Sequence, residues 1–179
     1  MTHAIRAEFR KFFTTRLWWG MGIATFVAGA GFSLLLAVIF TLGSVQSQPG
    51  MPNGIALTRI VFTGGISVGY LLTLAVGVMT IGAEYRHKTI TSTFLSNPRR
   101  TVVMSAKVVS LLVIGAFYGL ISLLGSVVVG GSVLVLRGEH PFADSGIWRT
   151  LALALLALGL WALIGLGVGI LVPNQVAAL

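Results

Sequence analysis

Residues 84–107 read EYRHKTITSTFLSNPRRTVVMSAK, a polar, basic, hydroxyl-rich segment between two long apolar runs. Five of the chain's twelve Lys and Arg residues sit in it: Arg86, Lys88, Arg99, Arg100 and Lys107. The runs on either side have the length and composition of bilayer-crossing helices. The segment is therefore expected to face the cytosol and to offer the surface that a soluble partner touches.

The composition agrees with that frame. The chain has 179 residues, 56% of them apolar and 9% charged, with a mean hydropathy of +0.97. A soluble domain carries roughly 25% charged residues, so water is not the main solvent of this chain. It reads as an all-α integral membrane protein forming a single transmembrane domain over residues 1–179. The net charge is +8. Its basic residues flank apolar runs, and the excess of Lys and Arg on cytoplasmic flanks explains them without nucleic acid. There is no Cys, hence no disulfide, thiolate metal site or Cys nucleophile. The first apolar run is too long for the core of a cleavable signal.

Outward from the central segment the chain divides cleanly. In residues 1–16, Ile5, Phe9, Phe12 and Phe13 fall at i, i+4, i+7 and i+8, one helical face. Arg6, Arg10 and Lys11 lie mostly opposite. The pattern predicts an amphipathic helix lying in the membrane interface. Trp18 and Trp19 open the first span, 17–42, at the depth where indoles prefer to sit. Residues 43–58 form an uncharged loop with turn signals at Pro49-Gly50 and Asn53-Gly54. Arg59 precedes the second span, 60–82, either as an interfacial residue that snorkels to the headgroups or in a pore or substrate role. Within 84–107, Asn97 and Pro98 are a cap and a first helical residue, and Glu84 and Lys88 form an i,i+4 pair if that part is helical. The third span is 108–136, with Gly130-Gly131 positioned to bend or end it. A loop with balanced charge precedes the fourth span, 151–172. After Pro173-Asn174, residues 175–179 begin a further apolar stretch, so the chain is expected to continue into more spans. Three GxxxG pairs, Gly65/Gly69, Gly115/Gly119 and Gly165/Gly169, predict close helix packing. The excess of basic residues before the first span and in the central segment puts both, and the N-terminus, in the cytosol.

Reactive chemistry is not evident. There is no GxxxxGK[ST] phosphate loop and no GxSxG elbow. His3, His87 and His140 have no metal-ligand spacing. Glu84, Glu139 and Asp144 lie too far apart to suggest an acid/base pair. No catalytic, cofactor-binding or metal residue is assigned. Ionisable residues fall only at the span edges, which argues against an ion-coupled carrier.

The layout resembles the permease subunit of ATP-binding-cassette transporters of the type-2 membrane family. IRAEFRKFFTTRLWW resembles its elbow helix, and GLGVGILVPNQVAAL the end of its fourth span. The most specific part is IGAEYRHKTITSTFLSNPRRTVVMSAK, where Glu84, Arg86, Thr89, Pro98, Arg99, Arg100 and Lys107 fit the family's tendencies. Lys88 stands where many members have Gly. The resemblance implies six spans per subunit, a second permease subunit in a homo- or heterodimer, and two cytosolic ATPase subunits that bind Mg-ATP. It implies a coupling segment, with docking residues Glu84, Tyr85, Arg86, His87, Lys88, Thr89, Ile90, Phe94, Arg99 and Arg100. The expected function is export of an amphiphilic substrate across the cell membrane, the chain itself not being an enzyme. The alternative is a small structural or regulatory membrane protein. An intramembrane enzyme would require at least two reactive polar groups meeting at one depth, and the spacing suggests none. A channel would require charge rings or carbonyl loops.

Overall fold

Long runs of apolar residues without charge satisfy their backbone polar groups internally, and helices are the simplest way to do so. The computed structural model describes residues 2–15, 17–42, 49–86 and 100–172, and they contain helices and turns but no strand. Helix α1 spans Thr2–Thr14, α2 Leu17–Thr41, α3 Gly54–Thr63, α4 Ile66–Arg86, α5 Arg100–Leu136 and α6 Gly146–Leu171. Four apolar helical stretches are long enough to cross a bilayer, with α3 and α4 together making one of them. The chain thus has the makings of a multi-pass membrane protein.

Helix α5 is the axis of the bundle. It packs along α2 on one side and α6 on another, while α4 packs chiefly on α6. α1 leans on the first half of α5, from Lys107 to Tyr118. Most of the outward surface is large and apolar, including Ile23, Val27, Leu35, Leu71, Val128 and Leu156. That surface suits lipid rather than water.

The seam between α2 and α5 is built from small residues and hydroxyls. Ser33 Oγ donates to the Ser126 carbonyl at 2.8 Å, and Ser126 Oγ donates to the Gly29 carbonyl at 3.0 Å. A Cβ on Gly29 would overlap the Ser122 carbonyl, and one on Gly125 would lie 2.7 Å from the Phe26 carbonyl. Backbones approach closely only because side chains are missing there. The same device joins α4 to α6, where a Cβ on Gly77 would strike the Ala162 carbonyl and one on Gly165 the Leu74 carbonyl. Of the GxxxG residues, Gly115 and Gly119 face α6, Gly69 faces Leu158 and Gly169 faces Ile81 and Val78. Gly65 lies against Gly29 of α2.

Several boundaries differ from the sequence expectation. Helix starts at Gly54, inside the expected loop, so Arg59 lies on a helix rather than ahead of one. The expected second span is interrupted at Gly64-Gly65, where Gly64 N–H bonds to the Val61 carbonyl three residues back. Regular spacing resumes with Gly69 N–H to the Gly65 carbonyl at 2.9 Å. Gly130-Gly131, by contrast, does not end α5, which runs on to Leu136. Gly130 instead makes room for Ser33 and Val61. α5 also begins earlier than residue 108, so Lys107 lies well inside a helix. The expected Asn97 cap and Pro98 start lie outside the described residues, as do residues 173–179.

Candidate functional site

Three helices meet at the end of the bundle where α4 stops and α5 starts. On α5, Lys107, Leu111, Ile114 and Tyr118 follow one helical face, and all four are buried. On α4, Gly77, Ile81 and Glu84 do the same. Glu84 and Lys107 are therefore the polar ends of two otherwise apolar stripes. On α1, Glu8 sits between Ile5, Phe9 and Phe12, in the middle of the face that turns inward. Phe12 is buried against Tyr118, ring edge to face, with centroids 5.9 Å apart.

The stripes bring the charges together. Lys107 Nζ donates to Glu84 Oε1 at 2.6 Å and to Glu8 Oε2 at 2.9 Å. Lys11 Nζ donates to the same Glu84 oxygen at 2.9 Å and to Glu8 Oε1 at 3.2 Å. Two ammonium groups and two carboxylates thus alternate around a small neutral ring. The Lys107 side chain is 2% exposed, Glu84 7%, Glu8 9% and Lys11 46%. Lys107 lies deepest and bridges all three helices. Among the described residues Glu84 Oε2 has no hydrogen-bond partner.

Burial on this scale carries a desolvation cost of several kcal/mol per ion. Lys107 is tolerated because each short contact is charge-assisted and both neighbours carry full negative charge. Lys11 is set differently. Burial alone would lower the affinity of its ammonium group for the proton, but the hydrogen bond to Glu84 and the charges of Glu8 and Glu84 outweigh that. Its pKa is raised above the ordinary 10.5. The ring holds no hydroxyl or thiol nucleophile. Among the described residues no group of His, Cys, Asp or Glu is arranged to hold a metal ion. The cluster is suited to fastening helices together.

The sequence reading did not find this cluster. The spacing suggests no reactive polar groups meeting at one depth, and the fold differs by placing Glu8 and Glu84 on one lysine. Periodicity alone puts Lys11 opposite the apolar face and gives Glu8 no role. The signal was present: a carboxylate at i+3 from Ile5 and i−4 from Phe12 lies within an apolar face, where an unpaired charge is costly.

The other expected site residues scatter. Glu84 is buried and paired with Lys107 and Lys11, while Tyr85 packs on the core and Arg86 is exposed at the end of α4. His87, Lys88, Thr89, Ile90, Phe94 and Arg99 lie outside the described residues, and Arg100 opens α5. Of the expected interface aromatics, Phe12 turns into the protein interior instead of outward. Phe9 and Trp18 pack partly against the same core, and Ile5 is half-buried. Phe13 and Trp19 remain exposed. Tyr118 Oη donates to the Trp18 carbonyl at 3.1 Å, which ties the start of α2 to α5.

No family model matches the chain, and no curated protein or solved structure matches it.

Proposed function

We propose that the chain is the membrane-spanning permease part of an ATP-driven transporter, powered by a separate ATPase subunit in the cytosol. On this reading it sits in the cell membrane with the N-terminus inside, pairs with a second permease subunit, and has α1 as an interfacial elbow. The substrate is an amphiphile that enters from lipid.

The observation that carries the reading is the Lys107 bridge. Residues 87–99 connect α4 to α5, and the two helices that flank them are fastened by Glu84, near the end of α4, and Lys107, about two turns into α5. α1 is fastened to both through Glu8 and Lys11. A push on the connecting segment therefore reaches three helices at once, and stiff helices transmit displacement along their length. In this scheme Ile90 and Phe94 seat in a cleft of the ATPase, with Arg86, Lys88, Arg99 and Arg100 adding ionic contacts. The basic residues also suit the negative inner membrane surface.

The test separates docking from transmission. Ile90→Asp and Phe94→Asp should abolish co-purification of an ATPase and abolish transport. Lys107→Met should keep the ATPase bound but uncouple its hydrolysis from substrate movement. Unchanged recovery of the ATPase and unchanged transport in the Asp variants would remove the proposed role of this segment.

A further inference from the structure

At the opposite end of the bundle, a groove opens sideways between the α3–α4 junction and α6. It is an open depression of about 450 Å³, lined by Thr63, Ile66, Ser67, Tyr70, Thr150, Leu153, Ala154 and Ala157. Four of the eight lining residues carry hydroxyls, which is unusual on a surface otherwise suited to hydrocarbon. Thr63 and Thr150 donate to carbonyls of their own helices, Arg59 O at 2.7 Å and Gly146 O at 3.2 Å, and keep their lone pairs. Ser67 is exposed, and the Tyr70 ring stacks on Trp161 at 5.2 Å.

Two further features converge on the same place. The helix interruption at Gly64-Gly65 lies between Thr63 and Ile66, at the wall of the groove. Irregular backbone within a membrane span is tolerated where it is buried in protein or lines a cavity, and broken helices often mark binding sites. One turn beyond Thr63, on the same helical face, is Arg59. Its Nη2 lies 3.5 Å from Asp144 Oδ2, and both side chains are partly exposed. That is longer than a charge-assisted hydrogen bond of about 2.8 Å, and a guanidinium has five N–H donors. Among the described residues Asp144 is the one acid that its guanidinium meets, which leaves donors that another anion can take.

The geometry points to a binding site for a phosphate-bearing membrane amphiphile. Its headgroup phosphate meets Arg59, its glycerol or ester oxygens meet the hydroxyls of Ser67 and Tyr70, and an acyl chain lies over Ile66, Leu153 and Ala157. Roughly 10 Å of α6 separates Thr150 from Ala157 at 1.5 Å per residue, room for the head and the first part of a chain. The site requires only that these helices sit in lipid. It stands or falls separately from the ATPase.

The probe is a phosphatidylglycerol with a diazirine in one acyl chain. It is added to the purified full chain in dodecyl maltoside, a neutral detergent without phosphate, and the cross-links are mapped by mass spectrometry. Labelling should concentrate on Ile66, Leu153 and Ala157. Arg59→Gln should lower it about tenfold, the loss of one charge-assisted contact. Ala157→Phe should reduce it by filling the groove, and Ser67→Leu, at an exposed position, should do so without repacking the core. Each variant is first checked for an unchanged elution volume and melting temperature. A matching diacylglycerol probe should label the groove weakly, and free glycerol phosphate should not compete. Even labelling of all outer helix faces, equal labelling by diacylglycerol, competition by glycerol phosphate, or full labelling in both Arg59→Gln and Ser67→Leu would each overturn the assignment.

Discussion

Lys107 is the residue on which the ionic cluster depends. Removing its ammonium leaves Glu8 and Glu84 buried with only the half-exposed Lys11 between them. Breaking a buried pair from one side costs about 3–5 kcal/mol, so Lys107→Met is expected to lower stability by that order in a denaturation series in mixed micelles. Combining it with Glu84→Gln should cost less than the sum of the two, since the second change removes a charge already stranded, with a coupling of about 0.5–3 kcal/mol. Strict additivity would mean that the two side chains do not act as a pair. Lys11 should matter far less, under about 1 kcal/mol, because nearly half of its side chain meets solvent. Its raised pKa gives the contribution a direction in pH. The folded state holds the Lys11 proton more tightly than the unfolded chain, so the gain is complete below about pH 10 and is lost as pH rises past 10.5 through the folded value. The difference in melting temperature between the native chain and Lys11→Met should be constant near neutral pH and vanish in strong alkali.

Among the elements, the small-residue seams set which helices are neighbours. Gly77→Ala should push α4 off the Ala162 carbonyl of α6 and cost about 1–3 kcal/mol, as overpacking does. Gly167→Ala is the control, since a methyl there meets nothing within 4 Å. It should leave the unfolding midpoint unchanged or raise it. Equal effects at the two positions would argue against the seam. The seams were only partly legible. GxxxG patterns pointed to Gly69, Gly115, Gly119, Gly165 and Gly169, which do face α4–α6 or α5–α6 contacts. The longest seam, α2 on α5, uses Ser122, Ser126 and Gly130 opposite Gly29 and Ser33. A search for glycine pairs alone overlooks it, although small residues at the same spacing of four serve equally well. The break at Gly64-Gly65 and the continuity at Gly130-Gly131 show the same limit. Two adjacent glycines permit a break in a helix but do not require one.

At the scale of the whole molecule, the apolar runs alone specified an all-helical chain with four stretches long enough to cross a membrane. Unbroken apolar runs of that length suit helices, since strands of the alternative, a closed barrel, alternate apolar and polar residues. What the runs did not specify is which polar residues turn inward. A one-dimensional reading treats Lys107 as the edge of a span and Glu8 as part of a flank. Only the meeting of α1, α4 and α5 makes them a pair. On the proposed function, residues 87–99 would be the part of the central segment that a partner touches, and the clamp of Glu8, Glu84 and Lys107 the part that transmits.

The central claim is that Lys107 holds α1, α4 and α5 together as one body, and spin-label distances test it directly. The chain has no Cys, so Arg6→Cys with Thr101→Cys, and Arg86→Cys with Thr101→Cys, introduce unique labelled pairs at exposed positions. In bilayers the native background should give one narrow distance distribution for each pair. Lys107→Met should broaden both. Distributions that keep the same width and centre after Lys107→Met would contradict the clamp.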